Sequence, residues 1–182
     1  MDKIMNEADA ARRDGAVTGF APVVGMGARV LVLGSMPGVA SLRQVQYYAH
    51  PRNAFWPLAA RIFGFDPGLD YDARLRALQA NGVALWDVLQ ACERPGSLDA
   101  DIRGDTLVPN DFGAFLACHP SIVRLCFNGA KAAAMFRRHV LPTLAAPKLA
   151  LFELPSTSPA HAAASFEQKL AAWEPALRLP SA

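Results

Sequence analysis

This sequence predicts an α/β fold: a three-layer α/β/α sandwich around a central, mostly parallel, roughly four-stranded sheet. Three observations predict it. Apolar runs of strand length recur at residues 29–33, 82–86, 122–127 and 148–154, continuous rather than alternating, as in strands buried on both faces. Segments with apolar residues at helical spacing separate them. The runs end in Gly34-Ser35, Trp86-Asp87, Asn128-Gly129 and Pro155-Ser156. Right-handed crossovers gather such ends on one edge of the sheet, the edge where an open α/β sheet places a ligand.

The elements follow in order. Residues 1–28 mix charge, alanine and glycine without a sustained period, so they read as a partly flexible N-terminal tail with a helical turn over 6–13; residues 29–182 form a single domain. After the first strand the chain breaks at Gly34-Ser35-Met36-Pro37-Gly38 and runs through a loop to a helix from Phe55 to Phe63, ended by the stretch containing Pro67. A second helix spans 70–80, with Asp70 as its cap. The short run 82–86 follows, then a polar surface loop over 93–106. Asn110 or Asp111 caps a helix to Cys118. The strand 122–127 leads to a helix over 130–141 that Pro142 closes. The strand 148–154 leads to an amphipathic helix over 165–177, its last turn disturbed by Pro175.

Composition bounds the function. A chain of 182 residues, 52% hydrophobic and 19% charged, is globular and fits one domain with a sizeable core. A net charge of +2 does not advertise nucleic acid through bulk charge, so any such contact must be local. The three cysteines, Cys92, Cys118 and Cys126, form no CxxC and read as reduced thiols of a cytoplasmic protein. They are too few for a cysteine-only iron–sulfur cluster. No apolar run reaches the roughly 18 residues of a membrane-spanning helix, and the N-terminus lacks a signal-like apolar core.

Chemistry-bearing residues cluster at the strand ends. The Gly34–Gly38 turn matches neither a P-loop nor a dinucleotide fingerprint, but its glycines admit close backbone approach by a flat ligand. Tyr47 and Tyr48 offer faces for stacking a base, or pack in the core with a hydroxyl reaching outward. His50 lacks partners at zinc-ligand spacing. Asn53 either orients a water or caps the Phe55 helix. Asp87 either accepts a ring N–H of a base or caps a turn. Ser156, Thr157 and Ser158, between Pro155 and Pro159, suit contacts with phosphates, and no G-x-S-x-G elbow supports a serine nucleophile. Lys131, Arg137, Arg138 and His139 form either a solvated helix face or a weak DNA-backbone contact.

Taken together, five blocks resemble the uracil-DNA glycosylase superfamily, and within it the hypoxanthine-DNA (deoxyinosine) glycosylase branch. The blocks are Gly34-Ser35-Met36-Pro37-Gly38, the stretch from Gln46-Tyr47-Tyr48 through His50-Pro51-Arg52-Asn53 to Phe55-Trp56, Leu85-Trp86-Asp87-Val88, Phe127-Asn128-Gly129, and Leu154-Pro155-Ser156-Thr157-Ser158-Pro159. The resemblance covers about residues 29–173. It implies a base pocket of Gly34, Ser35, Met36, Tyr48, Phe55, Asp87 and Asn128, and DNA contacts from Ser156, Thr157, Ser158, His161 and Lys131. The mismatch-specific branch positions its attacking water with an asparagine in the first turn; here that place is Met36, so the resemblance moves the role to Asn53. Uracil-specific members read the base with an asparagine where this chain has Asp87, and many place a histidine where it has Leu154.

Hypoxanthine suits these departures. Its N1–H can donate to Asp87, whereas adenine has a bare N1, and a purine can leave after protonation at N7. The expected activity is monofunctional hydrolysis of the N-glycosidic bond of deoxyinosine in DNA, leaving an abasic site for base-excision repair, since no lysine lies in the motifs and Lys131 is the nearest. The target base is flipped out of the duplex. No metal or organic cofactor is expected, nor a membrane; the protein is expected to be a cytoplasmic monomer. The alternatives are a uracil or mixed deaminated-base glycosylase, a non-catalytic nucleic-acid-binding protein, and a small-molecule α/β enzyme.

Overall fold

The computed structural model describes residues 16–95, 98–145 and 148–178; the helical turn expected over 6–13 lies outside them. Its elements are β1 (Ala16–Thr18), β2 (Val30–Gly34), α1 (Val39–Gln44), α2 (Phe55–Phe63), α3 (Tyr71–Ala80), β3 (Val83–Asp87), β4 (Leu89–Glu93), β5 (Val108–Pro109), α4 (Phe112–Cys118), β6 (Arg124–Asn128), α5 (Ala130–Met135), β7 (Ala150–Leu154) and α6 (Phe166–Leu177).

The expected sheet is present: β3-β2-β6-β7, with every pair parallel. Alternation along β2 divides the core in two. Val30 and Val32 join Phe55, Leu58, Ile62, Leu78 and Trp173 of α2, α3 and α6. Leu31 and Leu33 join Phe112, Phe115, Ala132 and Phe136 on the opposite face. Helices on both faces of one sheet make the three layers.

Local signals for helix ends are confirmed in atomic detail. Asp70 Oδ1 accepts the Ala73 N–H at 2.7 Å and Asp111 Oδ1 accepts that of Ala114 at 2.9 Å, so Asp111, not Asn110, caps α4. Ser165 and Gln168 form a reciprocal capping box at the start of α6. Pro175 does not break α6, which continues to Leu177. Arg124 Nη1 donates to the Pro175 and Ala176 carbonyls at 2.9 and 2.7 Å, satisfying acceptors that the last turn leaves open.

Four expectations change. Residues 16–28, read as tail, are built into the fold: Ala16–Thr18 pairs with β4, Val23 bridges Leu85, and Ala28 is buried. The stretches on either side of the expected surface loop, where no strand was expected, hold β4 and β5 of a second, antiparallel sheet, β1-β4-β5, and of the loop residues 93–106 only Glu93 belongs to it. A register shift between Leu89 and Ala91 interrupts the period-2 pattern that would have revealed β4. The loop before Phe55 contains α1, six residues without an acidic first turn or side-chain cap. The helix expected over 130–141 is α5 followed by a π-type stretch, Phe136–Val140, and a 3₁₀ turn, Leu141–Thr143. Pro142 lies in that turn, where it has no N–H to continue an α-helical ladder.

Candidate functional site

Parallel register brings Gly34 beside Asp87 and Asn128 beside Leu154 on one sheet edge. Asp87 is 3% exposed, and a Cβ on Gly34 would stand 2.4 Å from its Oδ1. Gly34 is therefore a glycine for space: the carboxylate occupies the volume a side chain would take. The Val88 N–H donates to Gly34 O at 2.8 Å and Asn110 Nδ2 donates to Asp87 O at 2.8 Å, which fixes this strand end.

The two tyrosines separate in role. Tyr47 is a core anchor: its hydroxyl donates to Ala21 O at 3.1 Å, its N–H donates to the Tyr71 hydroxyl at 2.9 Å, and its carbonyl accepts Trp56 Nε1–H at 3.0 Å. Tyr48 takes the left-handed conformation, φ 56°, a strain that concentrates at functional sites. Its ring stacks on Phe55 at 4.1 Å between centroids and 31° between planes. The hydroxyl lies 3.7 Å from where a Gly34 Cβ would be, beside Asp87 and Asn128. Phe55 is 1% exposed, so in this structure it backs Tyr48 and presents no face of its own to a ligand.

Burial first, and then the Asp87 carboxylate, pushes both the Tyr47 and Tyr48 hydroxyls above their ordinary pKa of 10.0. Both are neutral donors at physiological pH. The unfolded chain ionises near 10 while the folded chain keeps these protons, so the unfolded state binds fewer protons above that pH and stability falls. Each group lowers unfolding free energy by about 1.4 kcal/mol per pH unit there. Denaturant midpoints are expected to be flat with respect to these groups up to about pH 9 and to fall more steeply beyond about pH 10 in wild type than in Tyr48→Phe. Identical slopes would show that Tyr48 titrates normally.

Asn53 sits one residue before the N-cap of α2, half-buried. Its Oδ1 accepts the Phe55 N–H at 3.0 Å, and its own N–H donates to His50 O at 2.8 Å. Asn53 is therefore not the N-cap of α2, which is Ala54 without a side-chain cap bond; its side chain instead closes an Asx turn onto the first helical N–H, which fixes the amide plane while leaving Oδ1 a second lone pair. The Ala54 N–H donates to Thr157 O at 3.0 Å, and the Asn128 amide pairs twice with Thr157, accepting from its N–H and donating to its hydroxyl, both at 2.8 Å. These bonds join the Asn53 segment, the β6 end and the Pro155–Pro159 loop into one unit. They also commit Asn128 and Thr157 to structure: Thr157 is 1% exposed, its hydroxyl taken, and it is not placed to meet a phosphate.

The remaining expected contacts lie around this unit. Ser156 Oγ accepts the Ser158 N–H and Ser158 Oγ accepts the Ala160 N–H, both at 3.2 Å, so the loop braces itself. His161 is exposed, its carbonyl taken by the buried Lys169 at 3.1 Å. Lys131 is exposed on the first turn of α5. Arg137 pairs with Glu153 at 2.8 Å, which weakens the basic patch on that helix. Ser35 and Met36 are buried; the Met36 sulfur lies 3.7 Å from the place of a Gly19 Cβ, packed in the core. His50 Nδ1 accepts the Arg52 N–H at 3.1 Å. Among the described residues no three of His, Cys, Asp and Glu group as metal ligands, and no helix is long and apolar enough to cross a membrane. Cys92 and Cys126 are buried and Cys118 exposed, all free; burial pushes the Cys126 thiol up to about 12, which makes it inert at neutral pH.

Two contributors had no sequence signal. Arg94, 2% exposed, donates to the Pro37 carbonyl and supports the Gly34–Gly38 turn from the residue just past β4. Ser41 Oγ accepts the Ala49 N–H at 3.2 Å and ties α1 to the tyrosine segment. A lone arginine in a polar run and a serine in a short helix point nowhere until the chain is folded.

Residues 22–177 match the family described as the uracil DNA glycosylase superfamily. A hypoxanthine DNA glycosylase from Methanosarcina barkeri is 40% identical over 114 residues, 62% of this chain and 71% of that protein. One from Methanosarcina acetivorans is 37% identical over 115 residues, 63% and 72% of the two chains. A solution NMR structure of a candidate uracil DNA glycosylase from Methanosarcina acetivorans has a TM-score of 0.75 and 32% identity, covering 90% of this chain and 97% of that one.

Proposed function

Since the chain belongs to the uracil DNA glycosylase superfamily, we propose that it is a monofunctional DNA glycosylase that removes hypoxanthine from DNA, acting as a cytoplasmic monomer without metal or organic cofactor. The observation that carries the base assignment is the buried Asp87 carboxylate over Gly34. An acceptor there meets the N1–H of hypoxanthine and opposes the bare N1 of adenine.

The residues divide the work. Tyr48, backed by Phe55, stacks the flipped base. Asn53 accepts a hydrogen bond from the attacking water on its remaining Oδ1 lone pair and so turns the water oxygen toward C1′, without itself removing a proton. The C1′–O bond forms as the C1′–N9 pair departs with the base, whose final proton comes from the water. Met36, packed in the core, takes no part in handling the water. Ser158, His161 and Lys131 are the proposed contacts with the DNA backbone and groove.

The test uses labelled oligonucleotides carrying inosine, uracil or xanthine, followed by alkaline cleavage of abasic sites. Inosine is expected to be cut fastest. Absence of cutting on every substrate would sink the glycosylase reading; comparable turnover of free deoxyinosine would make the protein a nucleoside hydrolase.

A further inference from the structure

A groove of about 220 Å³ opens beside the site, with Tyr48 and Asn53 in its lining together with Gln44, Gln46, His50 and Arg74. None of the residues lining it is acidic. Arg74 is the groove's fixed cation. Its guanidinium lies 4.8 Å from the Trp56 ring centroid and 5.9 Å from that of Tyr71, and its buried Nε has no hydrogen-bond partner. Arg103, Arg137 and Arg178 are spent in ion pairs, whereas Arg74 makes no salt bridge among the described residues. Stacking on two rings removes much of the rotamer freedom that an arginine otherwise loses on gripping an anion. The volume exceeds that of several waters at about 30 Å³ each, enough for a phosphodiester group.

We propose that this groove holds a backbone phosphate of the DNA strand whose flipped nucleotide occupies the neighbouring site, with Arg74 as its principal ligand and the Gln44, Gln46 and His50 side chains as further polar partners. The proposal rests on the glycosylase reading above. A chain of net charge +2 needs its cations placed locally, and a cation in this groove would hold the DNA strand against the protein beside the pocket, a contribution to binding and not to the chemical step.

The test compares wild type, Arg74→Met and Arg74→Lys for binding to an unmodified duplex over a range of salt, and for inosine excision at saturating and limiting DNA. Arg74→Met is expected to reduce the slope of log affinity against log salt by about 0.9, the counterion release of one phosphate. It should raise KM and leave kcat at saturation near wild type, while Arg74→Lys keeps the wild-type slope. A purely structural arginine would lower thermal stability in both variants without moving the slope. An unchanged slope in Arg74→Met, with wild type still cutting inosine, overturns the groove assignment alone; failure of wild type to cut any modified duplex overturns the glycosylase reading and this one with it. Inorganic phosphate at matched ionic strength separates the sources of the anion. Inhibition of wild type but not Arg74→Met, with equal salt slopes, would make the groove a site for free phosphate and overturn the DNA assignment.

Discussion

Asn53→Ala is expected to lower single-turnover excision of hypoxanthine by on the order of 10²–10³-fold, the usual cost of removing one preorganised polar group from a hydrolytic transition state. The substitution also removes an acceptor from the start of α2, because Oδ1 takes the Phe55 N–H at 3.0 Å. That loss costs about 1 kcal/mol of stability, small enough for a folded variant but able to blur the interpretation. Asn53→Ser separates the two roles. A serine can accept from the same N–H and restore that bond, yet its hydroxyl is shorter and lacks the planar amide proposed to hold the water. Thermal stability is expected to recover in Asn53→Ser while excision stays low. Recovery of both would make Asn53 a brace for the start of α2 whose effect on rate is indirect, and the water would then need another partner.

Gly34→Ala is the second large effect. Its Cβ would stand 2.4 Å from Asp87 Oδ1, inside any permitted contact, and 3.7 Å from the Tyr48 hydroxyl. The backbone cannot yield easily, because Gly34 is held in register with Asp87 on one side and its neighbour Leu33 with Phe127 on the other. The carboxylate must therefore move. Overpacking of this kind costs about 1–3 kcal/mol, and if that misplacement is felt in the transition state, excision falls by roughly 10- to 100-fold. A double-mutant cycle with Asp87→Ala isolates the cause: once the carboxylate is gone, adding Gly34→Ala should cost little further stability or rate. Strict additivity would show that Gly34 serves the turn and not the carboxylate. Asp87→Asn, which preserves volume, is expected to reduce inosine excision by leaving the base N1–H facing an amide that also donates.

Much of the fold could be read before folding because its signals are local. The strands carrying Val30–Gly34 and Val83–Asp87 are apolar runs, and Asp70, Asp111 and Ser165 announce helix starts within three residues of the bonds they make. The small sheet was hidden for the opposite reason. β1 is three residues and β5 two, too short for a period, and the shift in β4 breaks the one alternation available. α1 lacks a side-chain cap and ends at Val45 in the left-handed conformation, which local propensity does not suggest for a β-branched residue.

At the site, the sequence by itself determined which groups were on hand: a glycine turn, paired tyrosines, an asparagine before a helix, and a carboxylate at a strand end, in an order that named the family. Only the tertiary structure decided how they are shared out. Tyr47 became the anchor, because Trp56, Tyr71 and Ala21 claim its polar groups, while the Tyr48 ring came to lie on Phe55. Asn128 and Thr157 went to each other across 29 positions, and Arg94 reached Pro37 across 57. Such choices depend on which partner arrives within about 3 Å once the strands are in register, and that distance is set by packing across the whole chain, not by any window of neighbouring residues.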